Sequence, residues 1–341
     1  MEKNIKIKIN EKEIGENCPT YFIAEGGLNH NGDIKIAKKL IEEAFESGAD
    51  AIKFQTYKTE NFLTTESQYY NFFKNVELSI EEFGEIKDHA KNIGITFFSA
   101  PFDIESALGL KKLGVPCFKI ASSDLTNIPL LHEVAKMKLP MIISTGLATM
   151  TEIEQAVNVC NKENNNQLML LHCIADYPTK PEDANLLAIN TMKQKFEFPI
   201  GYSDNGESTL VDIVAVSLGA NIIEKHFTLD KKMNGPDHFF SIDPLTLKKL
   251  ISKIRLIEQI LGDGEKAPRL SEINNIKFIR KCITASSNIE KGEIFSKENL
   301  SIKRPAYGLE PSKFEKILGK KASKNIPKDS PIIDSDILNK I

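Results

Sequence analysis

A chain of 341 residues, 41% hydrophobic and 27% charged, can bury a large core, which excludes a disordered protein and predicts one large domain with a smaller companion. Its formal net charge of -3 comes without a basic block, which argues against nucleic acid or an anionic membrane and leaves small molecules as partners. Five scattered cysteines, Cys18, Cys117, Cys160, Cys173 and Cys282, show no metal-type pairing and fit reduced thiols in a reducing compartment.

Met1-Glu2-Lys3-Asn4 is charged and passes into alternating Lys and Ile rather than an apolar signal core. No run approaches transmembrane length, so a cytoplasmic location is expected. Ile5-Lys6-Ile7-Lys8-Ile9 alternates strictly and leads through Asn10-Glu11 to Ile14-Gly15, as in a short hairpin that plugs one end of the main domain. Strand-like apolar runs then start near residues 21, 51, 95, 117, 140, 168, 199 and 221. Helical stretches fall between and after them, over 34–47, 80–92, 104–113, 150–161, 186–195, 210–218 and 245–261. Eight β-then-α units in roughly 240 residues match an α/β fold of the closed (β/α)8 type better than a doubly wound sheet.

Such a barrel carries its active site at the carboxyl ends of its strands. Here those junctions hold Glu25 and the Asn29-His30-Asn31-Gly32 turn, then Lys53 and Gln55, Lys119 and Ser122, Ser144 and Thr145, Ser203, and Glu224-Lys225-His226. Lysines with short hydroxyls suit a phosphate or carboxylate, so Lys53, Lys119, Ser122, Ser144, Thr145 and Ser203 read as an anion pocket. The competing reading is that the serines cap the helices that follow. His30 either binds substrate or orders its turn, and His238 is a candidate for positioning the substrate. The aromatic stretch 59–75 is long for a barrel loop and reads as a substrate lid, or its aromatics as dimer-contact or packing residues.

Near Gly262-Asp263-Gly264-Glu265 the pattern changes. The predicted boundaries are 1–265 for hairpin plus barrel, 266–280 for a polar linker and 281–341 for a compact β-rich domain, its short strands punctuated by Pro and Gly.

Several phrases recur in a fixed order along the chain: Ala24-Glu25-Gly26-Gly27-Leu28-Asn29-His30-Asn31-Gly32, Lys53-Phe54-Gln55, Lys119-Ile120-Ala121-Ser122, Ser144-Thr145-Gly146, Glu224-Lys225-His226-Phe227-Thr228, Gly235-Pro236-Asp237-His238 and Lys303-Arg304-Pro305. Together they resemble the sialic acid synthase family of N-acetylneuraminate, legionaminate and pseudaminate synthases. The resemblance implies a barrel joined to an antifreeze-like (SAF) domain, and a homodimer in which that domain reaches across to close the partner's site. It also implies condensation of phosphoenolpyruvate with an open-chain N-acetylated hexosamine, giving a nine-carbon 2-keto acid and phosphate.

Carried over by position, Lys53, Gln55, Lys119, Ser122, Ser144 and Ser203 are the implied phosphoenolpyruvate ligands. Glu25 would contact the reacting groups, and Tyr177, Asp237 and Arg304 the sugar, Arg304 coming from the neighbouring subunit. Asp124 stands where many relatives carry Glu and would shuttle protons, unless it only caps the turn before Thr126-Asn127. The family's divalent cation sits on two histidines, one of them in a Ser-Asp-His segment. Here that segment reads Ser203-Asp204-Asn205-Gly206, which leaves His226 and Asn205 as implied ligands and favours manganese or magnesium over later transition metals. Ala100 and Ala175 also depart from the family pattern, each removing a polar group from the implied pocket. These departures leave two alternatives open: condensation on a different aldose, and a catalytically silent sugar-binding relative.

Overall fold

The computed structural model describes residues 5–338. The chain forms two compact units, Met1–Gly262 and Asp263–Ile341.

The first unit opens with an antiparallel hairpin of β1 (Ile7–Ile9) and β2 (Lys12–Ile14). Ile7, Ile9 and Ile14 join the main hydrophobic core. Asn10 donates to the hydroxyl of Thr96, and Lys12 pairs with Asp50, both next to strand starts, so the hairpin covers the amino-terminal end of the barrel. The barrel follows: β3 (Tyr21–Gly27), α1 (Ile34–Glu46), β4 (Ala51–Thr56), α2 (Thr59–Phe62), α3 (Tyr70–Val76), α4 (Ile80–Ile93), β5 (Thr96–Pro101) and α5 (Ile104–Leu113). It continues with β6 (Phe118–Ile120), α6 (Ile128–Lys136), β7 (Met141–Ser144), α7 (Met150–Lys162), β8 (Leu168–Cys173), α8 (Leu187–Lys195), β9 (Ile200–Asp204), α9 (Thr209–Ser217), β10 (Ile222–His226) and α10 (Pro244–Leu261).

Strands β3 to β10 form one closed parallel barrel, with β10 pairing back onto β3. All eight strands start within one residue of their expected positions. The predicted helices agree almost as closely because strong caps delimit them. Asp33, Ser79, Asp103, Thr149 and Asp243 each accept from a first-turn amide, and Gly94 and Gly114 end their helices in the left-handed conformation. The periodicity reading gave no bounds for α6, which starts at an Asn127 cap with Pro129 in its first turn. The stretch 59–75 carries α2 and α3. Its Phe62, Phe72 and Phe73 pack with Leu28, Tyr57, Val76 and Phe102 into a separate apolar cluster, while Glu77 accepts from the amide and hydroxyl of Thr59.

The second unit carries α11 (Leu270–Ile279), β11 (Cys282–Ala285), β12 (Leu300–Lys303) and α12 (Phe314–Ile317), with β11 and β12 antiparallel. Its own core holds Ile283, Phe295, Ile317 and Ile332. The polar stretch expected as a linker contains α11, which has no buried residue. The expected strands around 289–295 and 326–333 contribute isolated bridges only, such as Ile289 with Ile326.

Candidate active site

The carboxyl ends of the barrel strands open into a cavity of about 1220 Å³. Strand alternation sends every second residue inward, and the inward set is ionic at the floor. Lys53 Nζ lies 2.8 Å from Glu25 Oε2 and 3.5 Å from Glu224 Oε2, and Lys119 Nζ lies 3.3 Å from Glu224 Oε1. All four side chains are buried. Ser203 donates to Glu224 at 2.8 Å, and Gln55 Nε2 to Glu25 at 3.4 Å.

This arrangement divides the two carboxyls. Burial pushes the Glu25 pKa up, more than the Lys53 charge pulls it down. Burial would raise Glu224 as well, but Lys119, Lys53 and the Ser203 hydroxyl together bring it down to about 2. Burial lowers Lys119 despite Glu224. Two cations and two carboxyls of unlike acidity therefore share one floor, which is how a site provides both anion contacts and a proton carrier.

Ser144 Oγ is buried there without a hydrogen-bond partner, and Ser122 Oγ accepts from the Gly146 amide at 3.0 Å. Both line the cavity with Ser203. Thr145 is a correction to the anion set: its hydroxyl donates to the Leu171 carbonyl at 2.9 Å, so it is consumed by the barrel wall.

His226, in register with Glu25 on the neighbouring strand, stacks edge-on against Phe240 and Tyr177, at centroid distances of 4.9 and 6.0 Å. Its Nδ1 is buried without a hydrogen-bond partner, 4.0 Å from Asp237 Oδ2. Burial, with Lys53 adding to it, lowers the imidazole to about 3, so it is neutral, while burial raises Asp237 to about 6. Asn205 donates its amide to the Ile174 carbonyl at 2.7 Å, leaving Oδ1 as the remaining atom. An orphaned neutral imidazole nitrogen beside a half-buried carboxyl, with an amide oxygen lining the same cavity, suits a hard or borderline divalent cation. Among the described residues no three His, Cys, Asp or Glu side chains converge as a metal cluster. A cation here would take much of its coordination from water and substrate.

The cavity thus brings together Glu25, Lys53, Gln55, Lys119, Ser122, Ser144, Tyr177, Ser203, Asn205, His226 and Asp237. Asp124 is not among its lining residues. The Asp124 carboxylate accepts from Asn127 at 2.9 Å and from Ser123 at 3.1 Å, steadying the residue that caps α6. Arg304 belongs to the second unit, where it lines a cleft of about 240 Å³ with Lys303, Tyr307 and Asp329. Ala175 lines the cavity, whereas Ala100 is buried beside Gln55 in the β4–β5 register without lining it. His30 orders its turn, Nδ1 accepting from the Gly32 amide at 3.0 Å. His238 meets the Thr228 hydroxyl at 2.6 Å and Asn31 at 3.2 Å, which ties two loops together rather than facing substrate.

Sequence reasoning did not single out Glu224, although it sits two residues before His226 and must share its face. Phe62, Tyr69, Phe72 and Phe73, from the stretch expected as a lid or packing surface, line the cavity, and Phe102, which the sequence did not point to, joins them.

The model described as "NeuB family" matches residues 40–266, and that of the SAF domain residues 280–338. This chain belongs to the NeuB family. It is 43% identical to the N,N'-diacetyllegionaminic acid synthase of Campylobacter jejuni over 92% of this chain and 98% of that protein. It is 38% identical to a pseudaminic acid synthase of the same species, over 93% of this chain and 96% of that one. The crystal structure of an N-acetylneuraminic acid synthetase from Leptospira borgpetersenii superposes with a TM-score of 0.77 at 41% identity. It covers 80% of this chain and 95% of that one. The C-terminal unit of this NeuB-family protein is accordingly a SAF domain, and among the described residues no helix is long and apolar enough to cross a membrane.

Proposed function

We propose that this NeuB-family chain condenses phosphoenolpyruvate with an open-chain N-acetylated hexosamine to form a nonulosonic acid and inorganic phosphate. The observation that carries this reading is the cavity floor. Lys53 and Lys119 line one cavity with the Ser122 and Ser144 hydroxyls, while Ser203 donates to Glu224; the two lysines and first two serines suit a ligand bearing both phosphate and carboxylate. The nearby His226, Asp237 and Tyr177 are suited to a polyhydroxylated partner.

The enol carbon of phosphoenolpyruvate attacks the sugar aldehyde, forming the carbon–carbon bond and leaving an oxocarbenium centre at C2. Water adds there, and the tetrahedral product expels phosphate through its carbon–oxygen bond. Lys53, Lys119 and the serines hold the anion in line for attack. Glu25, with its raised pKa, passes the proton of the attacking water to the former aldehyde oxygen, which becomes a hydroxyl, and the C2 hydroxyl proton leaves with the phosphate as the ketone forms. His226, Asn205 and Asp237 would hold a divalent cation, manganese or magnesium, which as a Lewis acid supplies polarisation of the aldehyde oxygen. The partner's SAF domain, carrying Arg304, would close the cavity over the sugar in a homodimer.

Phosphate release from phosphoenolpyruvate is the test, with N-acetylmannosamine and diacetylated hexosamines, each with manganese, magnesium or chelator. Release that depends on one sugar supports the reading. No release with any sugar or metal overturns it, and binding without turnover would identify a silent relative.

A further inference from the structure

Lys225 lies between two cavity-facing residues, Glu224 and His226, and points the other way, because successive strand side chains face opposite sides. It is 1% exposed. Its ammonium meets the Asp204 carboxylate at the end of β9 and lies 3.4 Å from Asp212 Oδ2 in α9. It also donates to the carbonyls of Gly206 at 2.7 Å and Ser208 at 3.5 Å. Asp204 in turn accepts from the Gly206 amide at 2.8 Å and the Tyr202 hydroxyl at 3.4 Å. A lysine and two carboxyls buried outside the substrate cavity are costly, and apolar residues of similar volume commonly serve stability as well. The network therefore calls for a role in geometry.

What it grips is the β9–α9 loop, residues 204–208. Asn205 in that loop reaches the cavity, donates to the Ile174 carbonyl and accepts at its own carbonyl from the Thr179 amide at 3.2 Å. Those two bonds tie it to residues 174–179, which carry Ala175 and Tyr177 into the cavity wall. The fit is close, since a Cβ on Gly206 would stand 2.8 Å from the Thr179 carbonyl oxygen and 3.1 Å from Asp204 Oδ1.

We infer that Lys225 is a positioning residue for the sugar side of the cavity. Through Asp204 and the carbonyls of Gly206 and Ser208 it fixes Asn205, and through Asn205 it fixes the loop bearing Tyr177. The inference rests on the proposed condensation for its kinetic consequence. Asp212 holds the same ammonium from α9, its Oδ2 3.4 Å away, and makes no contact of its own to the carbonyls of the loop.

The test compares Lys225→Met, Gly206→Ala and Asp212→Asn with the unaltered full chain. In Lys225→Met and Gly206→Ala, amide hydrogen exchange should accelerate in 174–180 and 204–208. KM for the hexosamine should rise between about tenfold and a hundredfold, the range expected of a small misplacement. KM for phosphoenolpyruvate should stay within about twofold, which separates positioning from general loss of structure. Gly206→Ala keeps every charge, so a shared pattern assigns the effect to loop geometry, and it decides the matter if Lys225→Met does not fold. Asp212→Asn weakens one anchor of the same ammonium and should shift both readouts in the same direction by less than Lys225→Met. Unchanged exchange and sugar KM in a folded Lys225→Met or Gly206→Ala protein would overturn the inference. If the unaltered chain releases no phosphate at all, the condensation fails while the exchange measurement still decides whether Lys225 holds these loops.

Discussion

The ammonium of Lys53 lies 2.8 Å from the Glu25 carboxylate, and both side chains are at least 95% buried. An ion pair this deep is asymmetric in its response to substitution, because removing one partner strands the other charge. Lys53→Met leaves Glu25 and Glu224 with Lys119 alone and should lower unfolding free energy by about 3–5 kcal/mol. Glu25→Gln, which removes a charge Lys53 can replace with Glu224, should be milder. Urea unfolding of the two variants checks the order, and equal stability of both would remove the argument.

His226 packs its ring against Tyr177 and Phe240, and its Nδ1 has no hydrogen-bond partner. His226→Gln is therefore expected to cut turnover at least about a hundredfold, as for a group acting on the reacting atoms. Calorimetry should find phosphoenolpyruvate affinity little changed. A matching loss of affinity would place His226 on the anion side instead.

Asn205 offers one amide oxygen where an imidazole would bind later transition metals more firmly. Asn205→His should tighten binding of zinc or cobalt relative to magnesium, measured by titration calorimetry on the protein alone. The cost is the 2.7 Å bond to the Ile174 carbonyl, so a modest fall in melting temperature should accompany the gain. Unaltered metal affinity would mean that this position does not face the cation.

Burial holds the His30 imidazole down to about 4, against 6.5 when exposed. The native state thus binds fewer protons than the unfolded chain between those values. Stability is complete above pH 6.5 and falls as the pH drops towards 4. His226 contributes with the same sign, and Asp237, raised to about 6, with the opposite one. His30→Asn keeps an acceptor for the Gly32 amide and should flatten the acid limb of a stability profile. A slope identical to that of the unaltered chain would show that His30 does not titrate on unfolding.

Gly201 in β9 has the Ile222 carbonyl oxygen 2.5 Å and Leu171 Cδ2 2.6 Å from where a Cβ would sit. A methyl group there meets backbone that cannot yield, so Gly201→Ala should cost about 1–3 kcal/mol by overpacking. Thermal unfolding is the check, and a neutral outcome would show that the barrel wall relaxes at this point.

The alternation of apolar runs with capped, periodic stretches carries local information, and local rules suffice for it. The eight strand starts, the ends of α1, α4, α5 and α7, and Ser144 at a strand end were legible because a strand's period and a helix's cap depend on adjacent residues, whereas Lys53 and Lys119 lie inside their strands. The ordered family phrases extended that reading to Asp237 and His226. Other features depend on which distant residues meet, and only barrel closure decides that. The β10–β3 pairing sets His226 opposite Glu25 and brings Glu224 to Lys53 and Lys119. The hydroxyl of Thr145 is taken by a carbonyl on the next strand, and His238 is taken by Thr228 and Asn31. For the aromatics of 59–75, which the sequence left between a lid and packing, Leu28 and Phe102 arrive beside them and make a packed cavity wall. Residue type announces what a side chain can do, but long-range packing decides whether its polar atoms are spent inside the fold or left facing the cavity.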